Sequence, residues 1–135
     1  MVIIKQENEW VWMELRESHF LVTYKPNTIL DLQAAQTIIR EATELAGDKV
    51  YPALTDIKDM PSHPKEVRQY FANEGSHNAT ANAILVSSSI NKIMANFFLT
   101  LNKPTVPTRL FTDANKAIKW LEMFPVIARP ALVQL

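Results

Sequence analysis

The sequence predicts a single α/β domain with a mixed, mainly parallel sheet and helices packed on it. Two observations support this prediction. Residues 9–25 alternate between apolar and polar side chains with a period of two, as in a β-hairpin. Downstream, short apolar runs at 51–57, 83–87 and 108–112 alternate with segments of helical periodicity. An N-terminal hairpin followed by βαβα repeats implies right-handed crossovers and largely parallel strands.

Composition excludes several classes of protein. The 135 residues suit one domain, and 14 basic residues balance 14 acidic ones, so no net charge attracts nucleic acid. The absence of cysteine excludes disulfides, thiolate nucleophiles and zinc bound by cysteine. The first ten residues lack the apolar core of a signal peptide, and no run is long enough to span a bilayer. We expect a cytoplasmic protein.

In the predicted hairpin, Val11, Met13 and Leu15 share one face of the first strand, and Trp10 and Trp12 share the other. Residues 17–18 lie where the turn is needed, and residues 1–6 are a candidate edge strand before the hairpin.

Residues 28–46 have the periodicity of an amphipathic helix. Thr28 and Asp31 are alternative N-caps, and Gly47 is the expected stop with a positive φ.

Residues 51–71 predict a strand, a polar loop and a helix. The strand covers 51–57 and the loop 58–63, and Pro64 suits the first turn of the helix. Ser62 or His63 can cap this helix. In α/β sheets the carboxyl end of a strand before a helix is where ligands and switches usually lie.

The rest of the domain follows the same pattern. A strand at 83–87 precedes an apolar helix at 90–101, and a strand at 108–112 precedes a helix that Asp113 caps. We assign residues 1–124 to the domain and 125–135 to an apolar C-terminal tail with two prolines. This tail is expected to pack as an extended arm, either on its own subunit or on another.

Residues 5–122 resemble the STAS domain family, in particular its bacterial branch similar to anti-sigma factor antagonists. The resemblance rests on the leading hairpin, on LTDIKDM at 54–60, and on FTDANKAIKWL at 111–121. The last of these is similar to that branch's final strand and its F-x-D-x-x-x-A-x-x-W-L helix. The same branch has been compared with the CRAL-TRIO lipid-binding fold.

The resemblance implies a non-enzymatic regulatory module that binds a protein partner of unknown identity. Phosphorylated antagonists carry Asp-Ser-Ser or Asp-Ser-Gly in the loop after the central strand, whereas residues 59–64 here read DMPSHP. We therefore expect a module without the usual serine phosphoswitch, in which Ser62 acts as a helix cap. The predicted partner-binding residues are Asp59, Ser62, His63 and Arg68.

Neither a metal site nor a catalytic site is predicted. Of the three histidines, His63 and His77 flank one predicted helix whose ends lie roughly 16 Å apart, too far for shared ligation, and His19 lies on another element. Asp56, Asp59, Ser62 and His63 could be drawn as a hydrolase cluster, but turn and cap chemistry explains them better. No glycine-rich loop is present to bind a phosphate, and we predict no cofactor.

Two further hypotheses concern apolar surface. If the outer face of the hairpin is uncovered, Trp10 and Trp12 form a homodimer interface; the alternative is that both faces of the strand are covered. The alternative function is a small-molecule or lipid-binding protein, with an apolar pocket near the 90–101 helix and its Phe97-Phe98 pair.

Overall fold

A single β-sheet forms the centre of the protein. The computed structural model describes residues 2–59, 64–73, 79–87 and 106–129. Within these ranges the strands are β1 (Val2–Glu7), β2 (Val11–Arg16), β3 (Phe20–Tyr24), β4 (Lys49–Asp56), β5 (Ala79–Leu85), β6 (Thr108–Phe111) and β7 (Ile127–Ala128). The helices are α1 (Leu32–Ala46), α2 (Lys65–Asn73) and α3 (Ala114–Leu121). The predicted alternation of strands and helices is confirmed in the described residues, and the candidate edge strand is β1.

The strand order is the order of the sequence, β1-β2-β3-β4-β5-β6, and β7 pairs with the start of β4. Pairs β1–β2 and β2–β3 are antiparallel, whereas β3–β4, β4–β5 and β5–β6 are parallel. Consequently β1, β3, β4, β5 and β6 point the same way, and β2 and β7 point the other way. The predicted mixed, mainly parallel sheet is confirmed.

Helices cover both faces of the sheet, but unequally. On the first face, α1 and α2 bury a cluster that includes Met13, Val22, Ile38 and Val67. On the second face, α3 packs on β4, β5 and β6 around a smaller cluster. The buried members of this second cluster are Leu54, Ala81, Ala83, Leu85, Ala117 and Leu121. Leu21 of β3 also adjoins this cluster, whereas Trp12 of β2 is 44% exposed on the same face. We call the part of the second face around Trp12 the open face, with reference to the described residues alone.

Aspartate side chains cap the N-termini of two of the described helices. Asp31 accepts the backbone N–H of Ala34 at 2.7 Å, which satisfies one of the unpaired donors of the first turn of α1. The helix therefore begins at Leu32, later than the periodicity predicts, and Thr28 instead donates to the carbonyl of Lys25 at 2.6 Å. Asp113 caps α3 as predicted, accepting from the N–H of Asn115 at 2.8 Å.

Gly47 ends α1, and its φ of 69° is positive as predicted. Its ψ of −127° differs from that of the left-handed helical region, so the chain turns directly into β4. This combination of angles strongly favours glycine because a Cβ would strain the backbone.

Residues 125–129 of the tail pack on their own chain. β7 pairs with Lys49 and Val50, and the backbone N–H of Arg129 donates to the carbonyl of Asp48 at 2.7 Å. The Arg129 guanidinium also donates to the carbonyls of Gly47 and Lys49. Residues 130–135 and the predicted 90–101 helix lie outside the described residues.

None of the helices in the described ranges is long and apolar enough to cross a membrane.

Candidate functional site

The loops that follow β3 and β4 meet at the carboxyl edge of the sheet. The backbone N–H of Asn27 donates to the carbonyl of Asp59 at 3.3 Å. Asn27 has a φ of 61°, a left-handed conformation that asparagine adopts more readily than most residues. The Thr28 hydroxyl bonds to the carbonyl of Lys25 in the same loop. The loop after β3 is thus held in a tight turn, and it braces the loop after β4.

Asp56 closes a turn of its own at the end of β4. One carboxylate oxygen accepts the backbone N–H of Lys58 at 3.1 Å, and the other lies 3.7 Å from the Lys58 ammonium. This is the local hydrogen bonding by which aspartate stabilises turns. The arrangement supports the interpretation of Asp56 as a turn residue.

Beyond this turn lies a polar surface that we call the β4 loop surface: Asp59 together with Lys65, Glu66 and Gln69 of α2. All four residues are exposed. Val67, on the opposite side of α2, is completely buried and anchors the helix to the first face. A short, anchored helix therefore exposes its polar side, and residues 60–63, which join it to the braced loop, lie outside the described residues.

Two of the four predicted partner-binding residues lie within the described ranges. Asp59 lies in the described loop and Arg68 falls within α2, although its side chain is outside the described part of the chain. Ser62 and His63 also lie outside it. The assignment of these four residues to a partner site stays a prediction.

The two tryptophans do not share a face, contrary to expectation. Asn8 accepts the backbone N–H groups of both Trp10 and Val11 through its side-chain oxygen, at 2.9 and 3.0 Å. This turn removes Trp10 from the alternation of the strand, which begins at Val11. Trp10 is half-buried against the core cluster of the first face, whereas Trp12 lies on the second face and is 44% exposed. The predicted homodimer interface therefore depends on Trp12 alone and stays a prediction.

Charged side chains fix the position of Trp12. The Lys25 ammonium lies 5.4 Å from the centre of the Trp12 ring, a cation–π distance, and 2.6 Å from the carboxylate of Glu7. The hydrogen bond and charge of Lys25 lower the pKa of Glu7, and the hydrogen bond of Trp12 acts in the same direction. The exposed indole is thus held between two oppositely charged side chains.

Strand register connects this tryptophan to the carboxyl edge. Trp12 pairs with Thr23, and Thr23 pairs with Asp56, so the three residues form one row on the second face. Adjacent strands are about 4.8 Å apart, which places the backbones of Trp12 and Asp56 roughly 10 Å from each other. Sequence alternation predicts which residues share a strand face, but this row also depends on the register between strands, which alternation does not specify.

His19 is the one buried polar side chain among the described residues. It follows the hairpin turn, where its Nδ1 lies 3.2 Å from the Ser18 hydroxyl, and its Nε2 has no hydrogen-bond partner among the residues described. Burial lowers the pKa of His19, and the charge of Arg16 lowers it further. Three or more metal-ligating side chains do not come together anywhere in the described ranges.

This geometry is that of a SpoIIAA-like, or STAS-like, α/β fold. A crystal structure of an uncharacterized DUF3478-family protein from Shewanella loihica PV-4, described as having a SpoIIAA-like fold, superimposes with a TM-score of 0.53. The two sequences are 18% identical, and the match covers 86% of this chain and 98% of that one. At this identity the likeness establishes the fold alone.

The chain belongs to the family described as "Domain of unknown function (DUF7793)", which matches residues 13–125. A comparison with curated proteins found no match. The resemblance to the STAS domain is thus confirmed at the level of the fold.

Proposed function

We propose that this protein is a non-enzymatic interaction module, similar to anti-sigma factor antagonists, that docks a partner protein on the β4 loop surface. The observation that carries the proposal is the hydrogen bond between Asn27 and Asp59. It joins the loops of two neighbouring parallel strands at the edge where α/β domains usually bind their ligands. Ser62, His63 and Arg68, which the sequence assigns to the same segment, complete the proposed surface.

The brace between Asn27 and Asp59 is the physical reason for choosing this surface. A loop that is ordered before binding loses less conformational entropy when a partner docks. The surface also carries exposed charges of both signs, with Asp59 and Glu66 beside Lys65. Charges of mixed sign at a docking surface select a complementary partner more than they raise affinity.

The described side chains favour binding over catalysis. Asp56 is occupied by its own turn, and His19 lies at the start of β3, remote from the carboxyl edge. The loop sequence at 59–64 lacks the Asp-Ser pair of phosphorylated antagonists, so we propose docking without a serine phosphoswitch.

A matched pair of substitutions tests the proposal. Asp59→Lys changes the carboxyl end of β4, and Asp48→Lys makes the same change in the turn that precedes the strand. The two full-length variants and the wild type serve as bait in native extract, and captured proteins are quantified by mass spectrometry. We expect a protein captured by the wild type to be lost with Asp59→Lys and retained with Asp48→Lys. Equal capture by the two variants would contradict docking on this surface.

The alternative, a small-molecule or lipid pocket near the 90–101 helix, concerns residues outside the described ranges, and no described contact favours it.

A further inference from the structure

β1 forms one edge of the sheet, and we propose that a second copy of this chain pairs with it, β1 against β1 in antiparallel orientation. β1 pairs with β2 on one side, and no described strand pairs with its other side. An edge strand offers backbone N–H and C=O groups to which another strand can hydrogen-bond. This inference goes beyond the docking function because it does not involve the β4 loop surface.

Hydrogen bonds at the two ends of the hairpin show which residues of β2 bond to β3 and which bond to β1. The N–H of Arg16 donates to the carbonyl of His19 at 3.0 Å, and the N–H of Lys25 donates to the carbonyl of Trp10 at 2.9 Å. In an antiparallel pair, hydrogen-bonded positions alternate along the strand. The even-numbered residues of β2 therefore bond to β3, and the odd-numbered residues bond to β1.

The same alternation identifies the outward-facing groups of β1. The N–H of Asn8 donates to the carbonyl of Val11 at 3.1 Å. Because every second residue bonds to the same neighbour, the residues of β1 that bond to β2 are Gln6 and Ile4. The backbone N–H and C=O groups of Lys5 and Glu7 consequently point away from β2, toward the open edge. Beyond the irregularity between Val2 and Ile4, these two residues are able to bond a neighbouring strand.

Their charges select one register for a symmetric pair. If two β1 strands pair antiparallel about Gln6, Lys5 of each copy lies opposite Glu7 of the other, and these residues exchange four backbone hydrogen bonds. A shift toward either end of the strand instead places Lys5 opposite Lys5, or Glu7 opposite Glu7. Opposite charges at directly facing positions stabilise a strand pair, and like charges destabilise it.

The neighbouring side chains extend this pattern. Lys5 lies 3.8 Å from Glu14, and Glu7 lies 2.6 Å from Lys25. The charges therefore alternate in sign across the proposed contact. Glu14 (negative) and Lys5 (positive) of one copy are followed by Glu7 (negative) and Lys25 (positive) of the other. The Lys5 and Glu7 side chains are 71% and 61% exposed, so neither is closed off from a second copy.

Charge reversal gives a test that depends on the register. Lys5→Glu alone places Glu against Glu, and Glu7→Lys alone places Lys against Lys. We expect each variant to dimerise at least about tenfold more weakly than the wild type in sedimentation equilibrium at low salt. A mixture of the two variants pairs opposite charges at both positions, so we expect it to form a heterodimer about as tight as the wild-type dimer.

Two controls separate this contact from others. Lys65→Glu and Glu66→Lys make the same changes on α2 and are expected to leave dimerisation unchanged. Trp12→Ser is likewise expected to leave the dimer intact, because the two strands pair through backbone groups of β1.

A wild type that stays monomeric up to about 1 mM overturns the proposal, as does a mixture of the two charge-reversal variants that fails to associate. Loss of the dimer with Trp12→Ser but not with Lys5→Glu would assign the interface to the open face instead.

Discussion

Trp12 and Asp56 lie in one row of the sheet, joined through Thr23, although they belong to distant parts of the sequence. The row connects the open part of the second face with the braced loop after β4. Asp56 is held in its turn, and Trp12 is held by Lys25. A partner that docks on the β4 loop surface and extends over the open face would therefore meet a preformed surface.

The separation of the two tryptophans predicts unequal effects on stability. Trp10 packs against the first core cluster, so we expect Trp10→Ser to lower the free energy of unfolding by about 2–4 kcal/mol. Trp12 is 44% exposed and makes its contacts with Lys25 and Glu7 at the surface, so we expect the smaller loss for Trp12→Ser, about 1–2 kcal/mol. Urea unfolding of both variants measures the difference. Equal losses would contradict the placement of Trp10 in the core.

The left-handed conformation of Asn27 predicts a second pair of effects. Asn27→Gly keeps the backbone N–H and accepts a φ of 61°, so we expect stability close to that of the wild type. Asn27→Val places a β-branched residue in the same conformation and is expected to cost about 1–3 kcal/mol. Urea unfolding compares them. If valine were tolerated as well as glycine, the loop after β3 would not hold the conformation described.

For the proposed docking surface, the same pair has a functional consequence. Asn27 fixes Asp59 through its backbone, so Asn27→Val is also expected to weaken capture of a partner that Asn27→Gly retains. A folded Asn27→Val protein that captures the partner normally would show that the brace does not contribute to docking.

The sequence predicts the fold well because the fold depends on local patterns. Alternation identifies β2 and β3, and aspartates mark the starts of α1 and α3. The candidate site is predicted less completely, because it depends on contacts between residues distant in sequence. The bond between Asn27 and Asp59 leaves no local pattern, and the turn formed by Asn8 displaces Trp10 from a face that alternation assigns to it.

The last described helix offers a test of packing. Leu121 is 2% exposed in the core of the second face, and nearby Met123 is 74% exposed. We expect Leu121→Ala to lower the free energy of unfolding by about 2–5 kcal/mol, because it leaves a cavity between α3 and the sheet. Met123→Ala is expected to change it by less than about 0.5 kcal/mol. Thermal and urea unfolding check both values, and a small effect at Leu121 would contradict the packing of α3 on β4, β5 and β6.

The burial of His19 predicts how stability depends on pH. Burial and the charge of Arg16 lower the pKa of His19, and these outweigh the opposing charges of Glu14 and Glu122. The unfolded chain therefore binds this proton at a higher pH than the native protein does. The stability linked to His19 should be fully present above the ordinary histidine pKa of about 6.5. It should fall as the pH drops below about 6.5 toward the lower pKa that His19 has in the native protein.

His19→Gln isolates this contribution, because glutamine gains no proton while His63 and His77 remain in both proteins. We expect the wild type to lose more stability than the variant in urea unfolding between about pH 8 and pH 5. The free energy of unfolding of the wild type minus that of the variant should therefore decrease as the pH falls. Parallel pH profiles would show that His19 has the same proton affinity in the native and unfolded protein, contrary to its burial without a partner for Nε2 among the described residues.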